Sequence, residues 1–132
     1  MTLVLDSGGI SMLAENRARL EALRRRDAWP PIVPTAVLTE ALTGDHRRDF
    51  HADRLLRLCL LESLDEDLAR AAALLRTAAG AEPGVVASPS AVDAIVAAHA
   101  DRPGGATVLT GDAHDLQALA RHTRHPVRIS TG

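Results

Sequence analysis

The 132 residues include no lysine and no tyrosine, and only one cysteine, one tryptophan and one phenylalanine. Without lysine there is no side chain for a Schiff base, an ammonium clamp on phosphate or lysine acid–base chemistry. With Trp29 and Phe50 as the only aromatics, stacking RNA bases on an aromatic platform has almost nothing to build on. The lone Cys59 rules out an intrachain disulfide, and its apolar surroundings read as a buried thiol rather than a reactive one. No run approaches the ~18 apolar residues that span a bilayer. Met1 to Asp6 also lacks the basic-then-apolar pattern of a secretory leader, so a cytoplasmic protein is expected.

A net charge of −2 argues against holding nucleic acid by overall positive charge. All 15 basic residues are arginine, whose planar fork suits phosphate. With 46% hydrophobic and 24% charged residues, no linker and no repeat, the chain fits one globular domain over residues 1–132.

Thr2 to Leu5 reads as a buried strand ending at Asp6. Ser7, Gly8 and Gly9 break it before a helical pattern from Ile10 to about Arg26. Pro30, Pro31 and Pro34 bracket Ile32 and Val33, which predicts an edge or connecting piece rather than a central strand. Thr35 to Thr43 reads as a compact helix stopped by Gly44, and Asp45 to Leu61 as a longer one. Leu60 to Leu64 fits a short strand. A helix then starts at Asp65, and Gly80 to Pro89 forms a loop with a Glu82-Pro83-Gly84 turn. Ser88 or Ser90 caps a helix to about Ala100. Ala106 to Leu109 is a second clear strand, followed by a helix from Asp112 to about His122 and a last strand from Val127 to Ile129. The alternation predicts an α/β fold with short parallel strands and helices on both faces.

Asp6 follows Leu3, Val4 and Leu5 at the carboxyl end of the expected central strand, where open parallel sheets form ligand crevices. Asp112 lies three residues past Leu109, at the same edge if the strands are parallel. Two acids at one edge make a candidate metal site. Asp93 and Glu40 interrupt otherwise apolar helices, where a carboxylate needs a partner or a cation. Each has a plainer reading. Asp112 is equally an N-cap with Asp115 in the first turn, Asp93 the acid of a Ser90-x-x-Asp93 capping pair, and Glu40 a solvated helix residue.

Four segments taken together, LVLDSGGISML, PTAVLTEALTG, SAVDAIVAAHA and TVLTGDAHDLQAL, resemble in order the PIN-domain nucleases, in particular VapC-type toxins of bacterial toxin–antitoxin pairs. The resemblance covers essentially the whole chain. It implies a PIN-like α/β/α sandwich and a Mg²⁺-dependent, Mn²⁺-tolerant endoribonuclease. Asp6, Glu40, Asp93 and Asp112 inherit the role of metal ligands. Asp115 matches a more variable fifth acid, and Thr110 a hydroxyl that supports the cluster. The resemblance also implies an RNA substrate, products with 5′ phosphate and 3′ hydroxyl, a small cognate antitoxin and a homodimer. Gly8 and Gly9 depart from the pattern, where related sequences often carry small polar or apolar residues.

The residue types agree with that chemistry. An all-oxygen donor set suits a hard divalent cation rather than zinc, and the six histidines include no HExxH pair. Arg24 to Arg26, Arg47 with Arg48, and Arg121, Arg124 and Arg128 are candidate phosphate contacts or plain solvated faces. Other acidic α/β sites fail on particular residues: a receiver domain needs a late lysine, a haloacid-dehalogenase site needs an acid where Gly8 stands, and a Toprim site needs Asp-x-Asp where Asp112-x-x-Asp115 occurs. The alternative of another class is a catalytically silent PIN-like module that binds a protein or RNA. Setting the four matched acids aside turns the net charge from −2 to +2, an acidic centre in a mildly basic arginine surface.

Overall fold

A computed structural model describes residues 1–132. Strands β1 (Thr2–Leu5), β2 (Ile32–Pro34), β3 (Leu60–Glu62), β4 (Ala106–Leu109) and β5 (Val127–Ser130) form one sheet in the order β3-β2-β1-β4-β5, with every pair parallel. Around it lie α1 (Ser7–Glu15), α2 (Arg17–Arg24), α3 (Leu38–Ala41), α4 (Phe50–Leu56), α5 (Glu66–Gly80), α6 (Ala91–Ala100) and α7 (His114–Ala120).

The strand order explains the two layers of helices. From β1 the chain moves outward to β2 and β3, then crosses back to β4 and β5 on the other side. Right-handed crossovers in opposite directions place their helices on opposite faces of the sheet. Accordingly α1 packs with α2, α3 and α4, while α5, α6 and α7 pack together. The expected α/β sandwich is what the chain forms. Val4, Leu5, Val33 and Val108 are sealed between the layers, which is why these strands read as unbroken apolar runs. A second cluster of Ala72, Leu75, Ala79, Ala94, Ala97, Ala98 and Leu119 joins α5, α6 and α7, its alanines letting the helices approach closely.

Three expectations are corrected. The helix expected from Ile10 to Arg26 is broken at Asn16, whose extended backbone ends α1 and whose side chain caps α2 by accepting from Arg19 N at 3.0 Å. Ile32 and Val33 belong to an interior strand, not an edge. The flanking prolines sit at its ends, and Pro31 serves the sheet through its carbonyl, which accepts from Leu60 N at 2.9 Å. The expected helices Thr35–Thr43 and Asp45–Leu61 shrink to a 3₁₀ turn (Thr35–Val37) with α3, and to α4. Between them buried Asp49 accepts from Thr43 N, Thr43 Oγ1 and Gly44 N, each at 2.9 Å, and holds the loop. Ser90 rather than Ser88 caps α6, accepting from Asp93 N at 3.1 Å.

Cys59 is half-buried and its thiol is pushed up to about 11 by burial, in keeping with an inert packing residue. No helix is long and apolar enough to cross a membrane.

Carboxylates carry much of the polar architecture. Hydrogen bonds from Arg121 and His122 hold Glu82 down to about 2 from its ordinary 4.5. Burial pushes Asp101 and Glu62 up, but hydrogen bonds from the backbone of Arg124 and His125, and from Arg102 and His99, outweigh it and leave both below the ordinary carboxylate range. A depressed folded pKa gives stability that is present above the unfolded value and is lost as pH falls through the folded one. The urea midpoint is therefore expected to fall from pH 4.5 toward pH 2, with a shallower decline in Glu82→Gln. Equal slopes in wild type and variant would contradict the assignment.

Candidate functional site

Because β1 is flanked by β2 on one side and β4 on the other, the direction of chain travel reverses at its carboxyl end. That is where a doubly wound sheet opens a crevice. Asp6 is the residue that leaves β1 there. It is buried, and its Oδ1 accepts from Gly9 N at 2.9 Å, capping α1.

Leu5 pairs with Leu109, so Thr110 leaves β4 beside Asp6. The buried Thr110 hydroxyl donates a short hydrogen bond to Asp6 Oδ2 and accepts from Asp112 N at 3.2 Å. One threonine thus ties the two strand ends together and sets the path of the chain into Asp112. Asp112 itself is exposed; its Oδ1 accepts from His114 N at 3.1 Å, so the capping reading and the edge placement both hold.

Gly8 and Gly9, the departures from the family pattern, are explained by close approach of backbone to backbone. A Cβ at Gly8 would lie 2.4 Å from Gly111 N, and one at Gly9 would lie 2.2 Å from Leu109 O. The first turn of α1 is pressed against the β4–α7 connection, which only glycine permits.

Asp93 reaches the same edge from the first turn of α6. Its expected capping box with Ser90 is half formed: Asp93 N donates to Ser90 Oγ, but the carboxylate accepting from Ser90 N, at 3.3 Å, is that of Asp115. Burial pushes the Asp93 carboxyl up; the Ser90 hydroxyl opposes this, and the charges of Asp115, Asp6 and Glu40 add to it. Asp6, Glu40, Asp93 and Asp115 therefore lie within electrostatic reach of one another, from four separate segments. Glu40 is exposed on α3.

None of the five acids enters any of the chain's ion pairs, which instead use Glu21, Glu62, Glu66, Glu82 and Asp101. Their negative charge is left without an internal counter-ion. The donor chemistry, carboxylate and hydroxyl oxygen with no imidazole or thiolate, fits a hard divalent cation. The side chains are spread along the edge, and no three of them close into a ready metal cage.

The histidines lie elsewhere: His99 Nδ1 meets Glu62 at 2.6 Å, His122 Nε2 meets Glu82 at 2.6 Å, and His125 Nδ1 meets Asp101 at 2.9 Å. Arg121 pairs with Glu82 and Arg24 with Glu21, so neither is a free phosphate contact. Arg25, Arg26, Arg47, Arg48, Arg124 and Arg128 are exposed. No protein-family model matches the chain, and no curated protein matches it.

The sequence reading missed Ser90 as the link between Asp93 and Asp115, although Ser90-x-x-Asp93 marked the place. It also missed the backbone contact made by Gly8 and Gly9. Gly9→Ala is expected to cost about 1–3 kcal/mol in chemical denaturation through overpacking; an unchanged midpoint would refute the close approach.

Proposed function

We propose that the chain is a divalent-metal-dependent endoribonuclease, the toxin of a type II toxin–antitoxin pair, with Mg²⁺ as its metal and Mn²⁺ as a substitute. The observation that carries the reading is a set of acids from separate segments at one sheet edge with no cation of the chain paired to them. Asp6, Asp93 and Asp112, with Glu40 and Asp115, would hold the metal. When bound, it would neutralise the phosphodiester charge and lower the pKa of an attacking water.

The chain's own residues supply the rest. Gly9 N and the Thr110 hydroxyl fix the Asp6 carboxylate in one orientation, so no reorganisation is needed when an anionic substrate arrives. Asp93, with its raised pKa, is suited to take the proton from the attacking water, and Asp115 is the alternative base. The 3′ oxygen leaves, giving 5′ phosphate and 3′ hydroxyl ends. Exposed arginines meet the flanking phosphates, and a small partner protein that presents a cation to the acidic edge would block it. The homodimer implied by the resemblance completes the reading.

Structured RNAs incubated with Mg²⁺ should be cut, and EDTA or Asp6→Asn should abolish the cut. Thr110→Val, which frees Asp6 on one side, should lower the rate about 10- to 100-fold. Cleavage in EDTA or by Asp6→Asn would sink the mechanism. No cleavage of any RNA would point to a silent binding module.

A further inference from the structure

β3 is an edge strand, and its outer side is unlike the other edge of the sheet. Leu60 is 56% exposed and Leu61 51% exposed, on opposite faces because strand side chains alternate; Leu58 and Leu64 are also exposed. The opposite edge, β5, carries Arg128 and follows Pro126, two of the devices that keep an edge from pairing. From Leu58 to Leu64 there is no proline and one charge, Glu62. That charge is offset inside the chain, since Glu62 Oε1 accepts from Arg102 Nη2 at 2.7 Å and from His99 Nδ1 at 2.6 Å.

The backbone of β3 is equally specific. Leu60 N donates inward to the Pro31 carbonyl, so the alternation of a parallel ladder turns the N–H and C=O of Leu61 outward. A residue with both groups facing out, at the centre of a three-residue strand, is self-complementary across a twofold axis. Each copy donates its Leu61 N–H to the Leu61 carbonyl of the other, a hydrogen-bonded antiparallel pair. With Glu62 offset internally, no uncompensated like charges meet at the axis.

We propose that a second copy of this chain covers the β3 edge, two β3 strands pairing antiparallel about Leu61 to join the sheets into one of ten strands. The dimer specified here rests on the strand edge alone and stands whether or not the acidic site cuts RNA. Antiparallel joining points the two acidic edges in opposite directions, so each site remains open and self-contained.

Sedimentation velocity over a concentration series tests it. Wild type should move from one-chain to two-chain mass, and Leu60→Lys/Leu61→Lys should stay at one-chain mass with an unchanged circular dichroism spectrum. Leu74→Lys, at a leucine 71% exposed on α5, should dimerise like wild type. Wild type that stays monomeric, a double variant that still dimerises, or loss of the dimer in Leu74→Lys would overturn the proposal. If the double variant does not fold, amide exchange of wild type decides: protection of the Leu61 N–H should rise with dimer fraction, and a Leu61 amide as labile in the dimer as in the monomer would refute it.

Discussion

The hydrogen bond from the Thr110 hydroxyl to the Asp6 carboxylate joins the ends of the two central strands, and the candidate site is built outward from it. It forms because β1 and β4 are parallel and in register, so both strands finish at the same level. It is kept short of water because Gly8 and Gly9 allow the first turn of α1 to sit directly on the β4–α7 connection. The same threonine accepts from Asp112 N and so steers the fourth strand's exit toward the crevice. The site is therefore a property of strand register and backbone contact before it is a property of any one acid.

Concentrating carboxylates at that edge has an electrostatic cost. The other structural acids of this chain are held below the ordinary carboxylate range by arginine, histidine or backbone N–H donors. Asp93 goes the other way, raised by burial and by the acids around it. One protein thus treats its carboxylates in two ways, and the unneutralised set is the one gathered at the switch point of the sheet. Perturbed acids in a crevice at such a point are the physical signature of a functional site.

Much of this was legible in the sequence. The unbroken apolar runs of Thr2–Leu5 and Ala106–Leu109 announce buried parallel strands, and from them the placement of Asp6 and Asp112 at one edge follows. What was not legible depended on contacts between distant segments. Nothing local says that Ser90 N is served by Asp115, or that Asp49 reaches back to Thr43 and Gly44 and ends a helical pattern early. Three prolines around Ile32 and Val33 suggest an edge by local rules. The strand is nonetheless interior, because its two partners use the carbonyls and N–H groups between the prolines.

The central claim is that the acids of four segments act as one anionic site for a divalent cation. Paramagnetic broadening of backbone amide signals by substoichiometric Mn²⁺ tests it most directly. The account predicts loss of signal at Asp6 to Gly9, Glu40, Asp93 and Thr110 to Asp115, reversed by excess Mg²⁺. Broadening centred instead on another acidic stretch, such as Asp65 to Asp67 at the start of α5, or no broadening at all, would contradict it.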